Sequence, residues 1–515
     1  MKIWLTSDNV DWDTSRYHYA AEQMLFTLFP GEKPEYPETP APTSLVSEDN
    51  AVIFTLHRGK KLTNMSALLL REGRWNNGVV RFDSTELDAP EEQACRTVQR
   101  TLMQAFYKAG TMLLGHDLPW GSLTGVRPVK LPTKALLAGS TPQEARKELE
   151  KTYHVAPLRS ELAVDCAKES VKALKSLQTD EISLYIGIPF CPSRCIYCSF
   201  ISAAVDKCLP LVEPFVEALC REIEATGKLL QDTGRALRTI YMGGGTPTTL
   251  SAPQLDRVLT ALEQHIDLSR CTEFTVEAGR PDTITAEKLA VLARHRVGRI
   301  SVNPQSMDDE VLRRIGRPHT AETIRKTMEI VVKTADFAVN MDLIAGLPGD
   351  TSRGFARSLR EVAALEPQNI TVHTLALKKG SRLVTDENGD PARDSFSLPA
   401  GEDVKTMLDD AWNFLREKGY APYYLYRQKY MSGSFENVGW TKPSYASLYN
   451  IAMMEELQTI VAVGGGGVTK LVWPATGKIE RLSNPKYPQE YLRDVDKILE
   501  DKASLASFLL KTKGV

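Results

Sequence analysis

Three cysteines within eight residues constrain this chain more than any other feature of its sequence. Cys191, Cys195 and Cys198 follow the spacing Cys-x3-Cys-x2-Cys. They supply three thiolates, whereas a cubane iron–sulfur cluster normally takes four, so a cluster held here would keep one iron open. S-adenosylmethionine (SAM) can chelate such an iron through its amino and carboxylate groups. We therefore predict a 4Fe–4S cluster with these three cysteines as its metal ligands.

Structural thiols and a zinc site are the two other interpretations of the triplet. Zinc motifs usually come as two separated pairs of Cys or His, and no second pair occurs here. The segment LYIGIPF before the first cysteine is apolar and rich in β-forming residues, which predicts a strand. The cysteines then lie on the loop after a strand, where an α/β barrel places its chemistry.

Composition excludes several classes of function. The chain has 515 residues, 25% of them charged, and a net charge of -2. This balance gives no overall basic field for nucleic acid, and no apolar run approaches the ~20 residues of a membrane-spanning helix. The N-terminus turns acidic without a signal-like apolar segment, which predicts a cytoplasmic protein. In that reducing compartment we expect unpaired thiols at the other cysteines, which are Cys95, Cys166, Cys208, Cys220 and Cys271.

The pattern of apolar residues divides the chain into three regions. Residues 1–178 predict a mixed α+β region. Residues 386–515 have no clear period, and we expect them to form a C-terminal region that covers the substrate. Residues 179–385 alternate strands with amphipathic helices. Six parallel strands predict an incomplete βα barrel, an α/β fold, and the strand candidates are Ser183–Pro189, Arg238–Met242, Glu273–Ala278, Arg299–Asn303, Phe337–Ile344 and Asn369–Leu375.

A glycine-rich motif, GGGTP, directly follows the second strand candidate. Gly243, Gly244 and Gly245 lack a Cβ, which lets a ligand approach the backbone and leaves carbonyls and amides available to bond it. The amino group of SAM needs such acceptors. A lone glycine run is usually only a turn, but here it stands about fifty residues after the cysteines. In that combination the motif predicts a SAM contact.

Further polar residues lie at the ends of strand candidates, where a βα barrel binds its ligands. Glu277 and Asp342 can accept hydrogen bonds from ribose hydroxyls or an amino group, and Gln305 follows the fourth strand. Arg317 can pair with the SAM carboxylate as a charge-assisted fork. Tyr197, between two ligand cysteines, can offer its ring to adenine. Each of these residues alone is more often a cap or a surface residue.

Taken together, these motifs resemble the radical SAM superfamily and, within it, the oxygen-independent coproporphyrinogen III oxidase group. The likeness is greatest to the HemZ-type coproporphyrinogen dehydrogenases, which have an N-terminal segment like WGSLTGVRP (120–128) and a tail like YYLYRQK (423–429) with ENVG (436–439). The resemblance covers about 120–470, and its remaining motifs are YIGIPFC (185–191), GGGTPT (243–248), RISVNPQS (299–306), IGRPH (315–319) and DLIAGLPG (342–349).

The resemblance implies roles for individual residues. It assigns the three cysteines to the cluster and places a tyrosine contact to the methionine end of SAM at Tyr185. The other SAM contacts that it implies are Tyr197, Gly243, Gly244, Thr246, Glu277, Gln305, Arg317 and Asp342. A second SAM molecule is the alternative partner of Arg317.

The resemblance also implies a reaction and its partners. One electron, from a donor such as flavodoxin or ferredoxin, reduces the cluster and cleaves SAM to methionine and a 5'-deoxyadenosyl radical. In the oxidase group this radical abstracts hydrogen from a propionate of coproporphyrinogen III. Loss of CO2 and one electron then leaves a vinyl group, and two such conversions give protoporphyrinogen IX. Arg427 and Lys429, set among tyrosines, are candidates to bind the propionates; an exposed turn is the alternative.

Two departures from the oxidase keep other functions open. The oxidase has a histidine where this chain has Gly187, and a fourth cysteine where it has Phe200, a change shared with haem-chaperone relatives. A haem-binding chaperone or trafficking protein is therefore an alternative, with His319 and His373 as axial-ligand candidates. Another radical SAM reaction on a porphyrin, such as methyl transfer with ring opening, is a third possibility.

Overall fold

The computed structural model describes residues 1–10, 13–42, 50–199, 203–378, 380–385, 396–428, 435–474 and 476–514. Lys429 and Phe200, which carry two of the sequence-based expectations, lie outside this part of the chain. The chain divides into two compact units, Met1–Val164 and Asp165–Val515. Among the described residues, no helix is both long and apolar enough to cross a membrane.

The first unit has an α+β arrangement. Its elements are β1 (Lys2–Ser7), α1 (His18–Leu28), β2 (Ala51–Arg58), β3 (Leu62–Arg71), β4 (Arg74–Asp83), α2 (Glu91–Leu114), α3 (Lys130–Leu137) and α4 (Pro142–Tyr153), and α5 (Pro157–Ser176) crosses into the second unit. Strands β1 to β4 form a sheet in sequence order. The β3–β4 hairpin turns at Glu72 and Gly73, both with positive φ, as its two-residue loop requires. Helices α1 and α2 share an apolar core with this sheet.

The second unit contains the predicted barrel. Its elements up to residue 374 are β5 (Glu181–Ile188), β6 (Phe190–Cys191), β7 (Ala203–Ala204), α6 (Val205–Thr233), β8 (Ala236–Gly244), α7 (Ala252–His265), β9 (Glu273–Val276), α8 (Ala286–Arg294), β10 (Arg299–Ser301), α9 (Asp309–Arg314), α10 (Ala321–Thr334), β11 (Ala338–Ala345), α11 (Ser352–Ala364) and β12 (Asn369–Thr374). All six strand candidates are present, and β5, β8, β9, β10, β11 and β12 pair in parallel in that order. The incomplete six-stranded βα barrel is thus confirmed.

The C-terminal strands extend this sheet at both edges. The remaining elements are α12 (Gly401–Glu417), β13 (Ala421–Arg427), β14 (Glu436–Thr441), α13 (Leu448–Glu455), β15 (Ile460–Gly464), β16 (Val468–Val472), β17 (Ile479–Ser483), α14 (Pro488–Arg493), α15 (Val495–Ser504) and α16 (Ala506–Lys511). Strand β14 pairs antiparallel with β12, and β13 with β14. At the other edge β15 pairs parallel with β5, followed by β16 and β17. Eleven of the thirteen described strands of the second unit therefore form one sheet, and β6 and β7 pair separately.

Helix α13 is held at the amino ends of the barrel strands. The carboxylate of Glu273, the first residue of β9, accepts from the amides of Leu448 and Tyr449 at the start of α13, at 2.7 and 3.3 Å. Arg299 at the start of β10 and Asn369 at the start of β12 donate to the carbonyl of Tyr445, at 2.9 and 3.0 Å. A carboxylate at a helix N-terminus also complements the helix dipole. These contacts position α13 against one end of the barrel.

Candidate functional site

The three cysteines lie on the loop after β5 and line a cavity of about 570 Å³ in the second unit. All three are free thiols, and Cys195 is buried. The Sγ of Cys191 lies 3.4 Å from the Oγ1 of Thr246. Cavities of roughly 300–1,000 Å³ are the size that accommodates a cofactor or small-molecule ligand. The structure therefore brings the predicted cysteines to a space large enough for a ligand.

Alternate residues of the barrel strands form the cavity wall. In register, Tyr185 of β5 pairs with Tyr241 of β8, and Tyr241 pairs with Thr275 of β9. Thr275 in turn pairs with Arg299 of β10. All four line the cavity, as do Glu277 and Ser301, which stand two positions after Thr275 and Arg299. This alternation follows from the period of two that side chains have on a strand.

The glycine-rich turn packs closely against the strand that carries the cysteines. A Cβ on Gly245 would lie 2.4 Å from the carbonyl oxygen of Phe190, so only glycine fits there. The amides of Gly245 and Thr246 donate to the carbonyls of Ile188 and Phe190, at 2.6 and 2.7 Å. The expectation that the amide of Gly245 is available to a ligand is therefore wrong, because this amide already bonds the neighbouring backbone.

Glu277 and Asp342 have contrasting electrostatic environments. Burial raises the pKa of Glu277 to about 7, although the hydroxyl of Tyr241 donates to its carboxylate. Burial would also raise the pKa of Asp342, but hydrogen bonds, first from His373, hold it below its ordinary value. The Nδ2 of Asn340 donates to the Asp342 carboxylate at 2.7 Å. The cavity thus combines one carboxyl that protonates near neutrality with one that stays ionised.

The side-chain amide oxygens of Gln305 and Asn303 have no hydrogen-bond partner among the described residues. Gln305 has a φ of 70°, which is uncommon for a residue with a side chain. Its backbone amide donates to the carbonyl of Asp342 at 2.9 Å, and its carbonyl accepts from Ile344 at 3.0 Å. Strained backbone held in this way is typical of ligand sites. Both side chains line the cavity and can accept hydrogen bonds from a ligand.

Arg317 is buried and contacts the cysteine loop. Its Nη1 donates to the carbonyl of Asn303 at 2.6 Å, and its Nη2 donates to the hydroxyl of Tyr197 at 3.2 Å. Its Nε has no partner in the described part of the chain. Arg317 therefore presents a donor to the cavity while it restrains the tyrosine that stands between Cys195 and Cys198.

Tyrosines of the C-terminal region complete the opposite wall. Tyr449 of α13 stacks on Tyr241, with ring centroids 4.6 Å apart, and Tyr241 stacks on Tyr185 at 6.4 Å. Tyr423 and Tyr424 of β13 meet edge to face at 4.7 Å. All five rings line the cavity. This wall offers aromatic faces to a flat ligand.

Two of the predicted site residues, Gly243 and Arg427, are not part of the described cavity wall. The described cavity wall does not include Gly243, whose Cβ position is filled by Glu277 and Tyr241, each about 3 Å away. Nor does it include Arg427, which is buried in register with Glu436. Burial lowers the pKa of Arg427 to about 10. The propionate-binding role of Arg427 stays a prediction to which this placement adds no support.

The two candidate haem ligands differ in position. His373 lines the cavity, with its Nε2 3.7 Å from the Oδ2 of Asp342. His319 is buried with its Nδ1 3.5 Å from Asp282, and it is not among the described residues of the cavity wall. Only His373 therefore faces the space in which a ligand would bind.

The presence of glycine at position 187, where the oxidase has a histidine, has a steric explanation. A Cβ on Gly187 would lie 2.5 Å from the carbonyl oxygen of Gly465, in the glycine run that follows β15. The backbone of that run thus fills the space that a side chain at 187 would need. Gly466 of the same run lines the cavity.

Sequence reasoning did not identify several residues of the cavity wall. Thr275, Arg299 and Asn340 carry a signal that could have found them, since each stands two positions before another polar residue. Tyr241 lacks this signal, because Gly243 stands two positions after it. Tyr449 and Asn450 carry no such signal, because their position depends on how α13 docks. The other residues that were missed include Ser193, Arg280, Ser301, Thr371, Lys378, Asn437 and Met453.

The residues present fit the predicted cofactors. In the described residues, no three His, Cys, Asp or Glu side chains converge on a single metal ion. Three thiols around a shared cavity suit a cubane better than zinc, since each thiolate of a cubane binds a different iron. The side-chain oxygens of Asn303 and Gln305 and the Nε of Arg317 have no partner among the described residues, so they would be available as acceptors and a donor if SAM binds here.

Comparisons with known proteins show which family this chain resembles. The model of the radical SAM superfamily matches residues 185–362. The oxygen-independent coproporphyrinogen-III oxidase-like protein HemZ of Bacillus subtilis is 38% identical over 418 residues, 81% of this chain and 82% of HemZ. The heme chaperone HemW of Haemophilus influenzae is 28% identical over 314 residues, 61% of this chain and 76% of HemW. Coproporphyrinogen III oxidase HemN of Escherichia coli aligns with a TM-score of 0.48 and 22% identity, over 63% of this chain and 71% of HemN.

The fold, the cysteine loop and the matched family model define a radical SAM protein, whose cofactors are a 4Fe–4S cluster and SAM. Within that superfamily the chain belongs to the family of the HemZ oxidase-like protein, which it matches over four-fifths of both lengths.

Proposed function

We propose that this protein is a radical SAM oxidoreductase of haem biosynthesis that converts propionates of coproporphyrinogen III to vinyl groups without oxygen, giving protoporphyrinogen IX. One observation carries the proposal: a single cavity joins the three cysteines to a wall of tyrosine rings. The similarity to a protein named as coproporphyrinogen-III oxidase-like supports the substrate class. A flat macrocycle has ring faces that can stack on this wall.

The cluster and SAM, when bound, supply one-electron chemistry that generates a hydrogen-abstracting radical. The chain's own residues hold and orient these groups. Cys191, Cys195 and Cys198 would bind the cluster. Gln305, Arg317 and Asp342 would fix SAM by hydrogen bonds. The tyrosine wall would exclude water and align one propionate at a time with the reacting centre.

The proposal implies two partners and a location. The substrate is a small tetrapyrrole, and an electron donor such as flavodoxin or ferredoxin reduces the cluster. We place the reaction in the cytoplasm, in line with the sequence-based expectation, and without nucleic acid. The net charge of -2 gives no general attraction for a polyanion.

Anaerobic incubation with coproporphyrinogen III, SAM and dithionite tests the proposal. Mass spectrometry should show a tetrapyrrole product that has lost CO2 and two hydrogens per converted propionate. The amount of 5'-deoxyadenosine should rise above the substrate-free level. A methylated or ring-opened product would instead support another radical SAM reaction on a porphyrin. Release of 5'-deoxyadenosine without any change in the porphyrin would contradict the proposed substrate.

Haem binding is the second candidate function, and one observation favours it. His373 faces the same cavity, and relatives named heme chaperone HemW align with about half or more of the chain. Added haem should then give a Soret shift that is lost in His373→Ala and kept in His319→Ala, since His319 lies off the described cavity wall. Equal spectra in both variants would exclude His373 as the axial ligand.

A further inference from the structure

We propose that Arg280 is a positioning residue for the iron–sulfur cluster, which holds the cysteine loop and raises the reduction potential of the cluster. Arg280 belongs to the segment Gly279–Thr283 after β9, to which the sequence motifs assign no role. Its side chain is only 3% exposed, and the residue lines the cavity. A buried guanidinium normally serves a defined partner, because burying an unpaired charge is costly.

One end of the guanidinium contacts the cysteine loop. Its Nη1 donates to the carbonyl oxygen of Ser193 at 3.3 Å and to the Oγ of Ser193 at 3.1 Å. Its Nη2 also donates to that Oγ at 3.1 Å. The same Nη1 lies 4.0 Å from the Sγ of Cys195. Ser193 stands between the first two ligand cysteines, so Arg280 fixes the part of the loop that sets their separation.

The other end of the guanidinium is held by a carboxylate. The Nε and Nη2 of Arg280 donate to the two oxygens of Asp282, at 3.0 and 3.1 Å, in a bidentate pair. The surrounding loop is fixed as well, because the Oγ1 of Thr283 donates to the carbonyl of Arg280 at 2.8 Å. The Oγ1 of Thr248, in the glycine-rich motif, donates to the carbonyl of Ala278 at 2.8 Å. The positive charge is thus directed at the cysteine loop and its counter-charge is directed away.

This orientation has an electrostatic consequence. Reduction adds one negative charge to the cluster, and a fixed donor or positive charge beside a ligand thiolate stabilises the reduced state. Hydrogen bonds to the sulfurs, net charge and solvent exposure set the reduction potentials of such clusters. Removing the charge of Arg280 should make the cluster harder to reduce. Removing the charge of Asp282 should make the cluster easier to reduce, because Arg280 is then less neutralised.

The variants Arg280→Gln and Asp282→Asn should therefore shift the reduction potential of the cluster in opposite directions. A purely structural role of Arg280 would not produce opposite shifts. The measurement is an EPR-monitored titration of reconstituted full-length protein with dithionite, beside an iron assay. At the potential that half-reduces the wild type, Arg280→Gln should lower the ratio of reduced to oxidised cluster about tenfold, equivalent to about 59 mV for one electron. Asp282→Asn should raise that ratio by several fold.

The control is Arg325→Gln, which makes the same chemical change on the exposed face of α10, where Arg325 pairs with Glu361 at 2.8 Å. It should leave the titration unchanged. If Arg280→Gln binds less iron than the wild type, the test rests on Asp282→Asn alone. A higher ratio of reduced to oxidised cluster in that variant supports the proposal, since lost packing does not make a cluster easier to reduce. Shifts of the same sign in both variants, or shifts no larger than that of the control, would overturn the proposal.

Discussion

The cavity has two sides that are built by different kinds of interaction. The cysteine side carries the three cysteines and Arg317, and the tyrosine side carries Tyr423, Tyr424 and Tyr449. On the cysteine side, side chains bond to backbone atoms of the barrel, as Arg317 does with the carbonyl of Asn303. On the tyrosine side, rings stack on rings, and the hydroxyl of Tyr449 has no hydrogen-bond partner among the described residues. One side is fixed by directional bonds and the other presents aromatic surface.

This difference bears on how the two sides meet their ligands. Hydrogen bonds to backbone atoms hold donors and acceptors at fixed positions, as the binding of a small polar cofactor requires. Stacked rings tolerate small displacements, as the binding of a large flat substrate that must present successive propionates requires. Single substitutions on the cysteine side should therefore cause large losses of ligand binding, whereas single substitutions on the tyrosine side should cause smaller losses.

The largest expected effect is loss of the cluster. Replacing Cys191, Cys195 or Cys198 with Ala should abolish iron binding after anaerobic reconstitution, since two thiolates do not replace three. Replacing Cys208 or Cys271 with Ala should leave the iron content unchanged, because neither lines the cavity described here. The measurement is iron and sulfide per chain, with about four of each expected in the wild type. Full iron in a triplet variant would contradict the ligand assignment.

The next effect concerns SAM affinity on the cysteine side. Arg317→Ala or Asp342→Ala should each weaken SAM binding about ten- to hundredfold, because a hydrogen bond to a charged group contributes about 1.5–3 kcal/mol. Equilibrium binding of SAM to reconstituted protein measures this effect. Arg313→Ala is a matched control, since Arg313 pairs with Glu310 on the surface of α9. Wild-type affinity in both cavity variants would remove these residues from the SAM site.

A smaller effect is expected where Gly187 meets the glycine run. Gly187→Ala places a Cβ 2.5 Å from the carbonyl of Gly465 and should lower the free energy of unfolding by about 1–3 kcal/mol, as overpacking does. Gly298→Ala is the control, because a Cβ there meets nothing within 4 Å. Urea denaturation of the apoprotein compares the two. Equal stabilities would show that the two backbones can separate, and that a side chain at 187 is tolerated.

How much the sequence predicts also differs between the two sides. Cys191 and Glu277 could be predicted because they stand at strand ends, which parallel strands bring to one edge, and Asp342 because it stands in the contiguous motif DLIAGLPG. Tyr449 could not be predicted, because its place depends on the bonds between Glu273 and the start of α13. That contact joins residues about 175 positions apart, and no local pattern encodes it.

The glycine-rich motif was predicted for a reason that is only partly right. Its glycines do allow a close approach, but the partner is the backbone of Ile188 and Phe190. Sequence alone does not distinguish a glycine that accommodates a ligand from one that accommodates a neighbouring strand, since both need only the absence of a Cβ. The alternation of polar residues along β9 to β12 is a stronger signal, because a strand with one face on a polar cavity must alternate.

The smallest effect separates packing from ligand binding on the tyrosine side. Tyr449→Phe removes a buried hydroxyl that lacks a partner among the described residues, so it should leave the stability of the apoprotein unchanged or raise it slightly. Tyr423→Phe is the matched variant, because its hydroxyl accepts from the Nδ2 of Asn450 at 3.1 Å. Losing that bond should cost about 0.5–1.5 kcal/mol.

If the Tyr449 hydroxyl binds substrate, Tyr449→Phe should reduce product formation more than Tyr423→Phe, although it should reduce stability less. Tyr449→Phe should then lower vinyl product several fold with little change in SAM affinity, because Tyr449 is not among the predicted SAM contacts. Urea denaturation, SAM binding and product analysis on the same preparations distinguish the cases. A stable Tyr449→Phe variant with full product formation would show that the hydroxyl does not bind the substrate. A loss of SAM affinity would show that the two sides of the cavity are not separate.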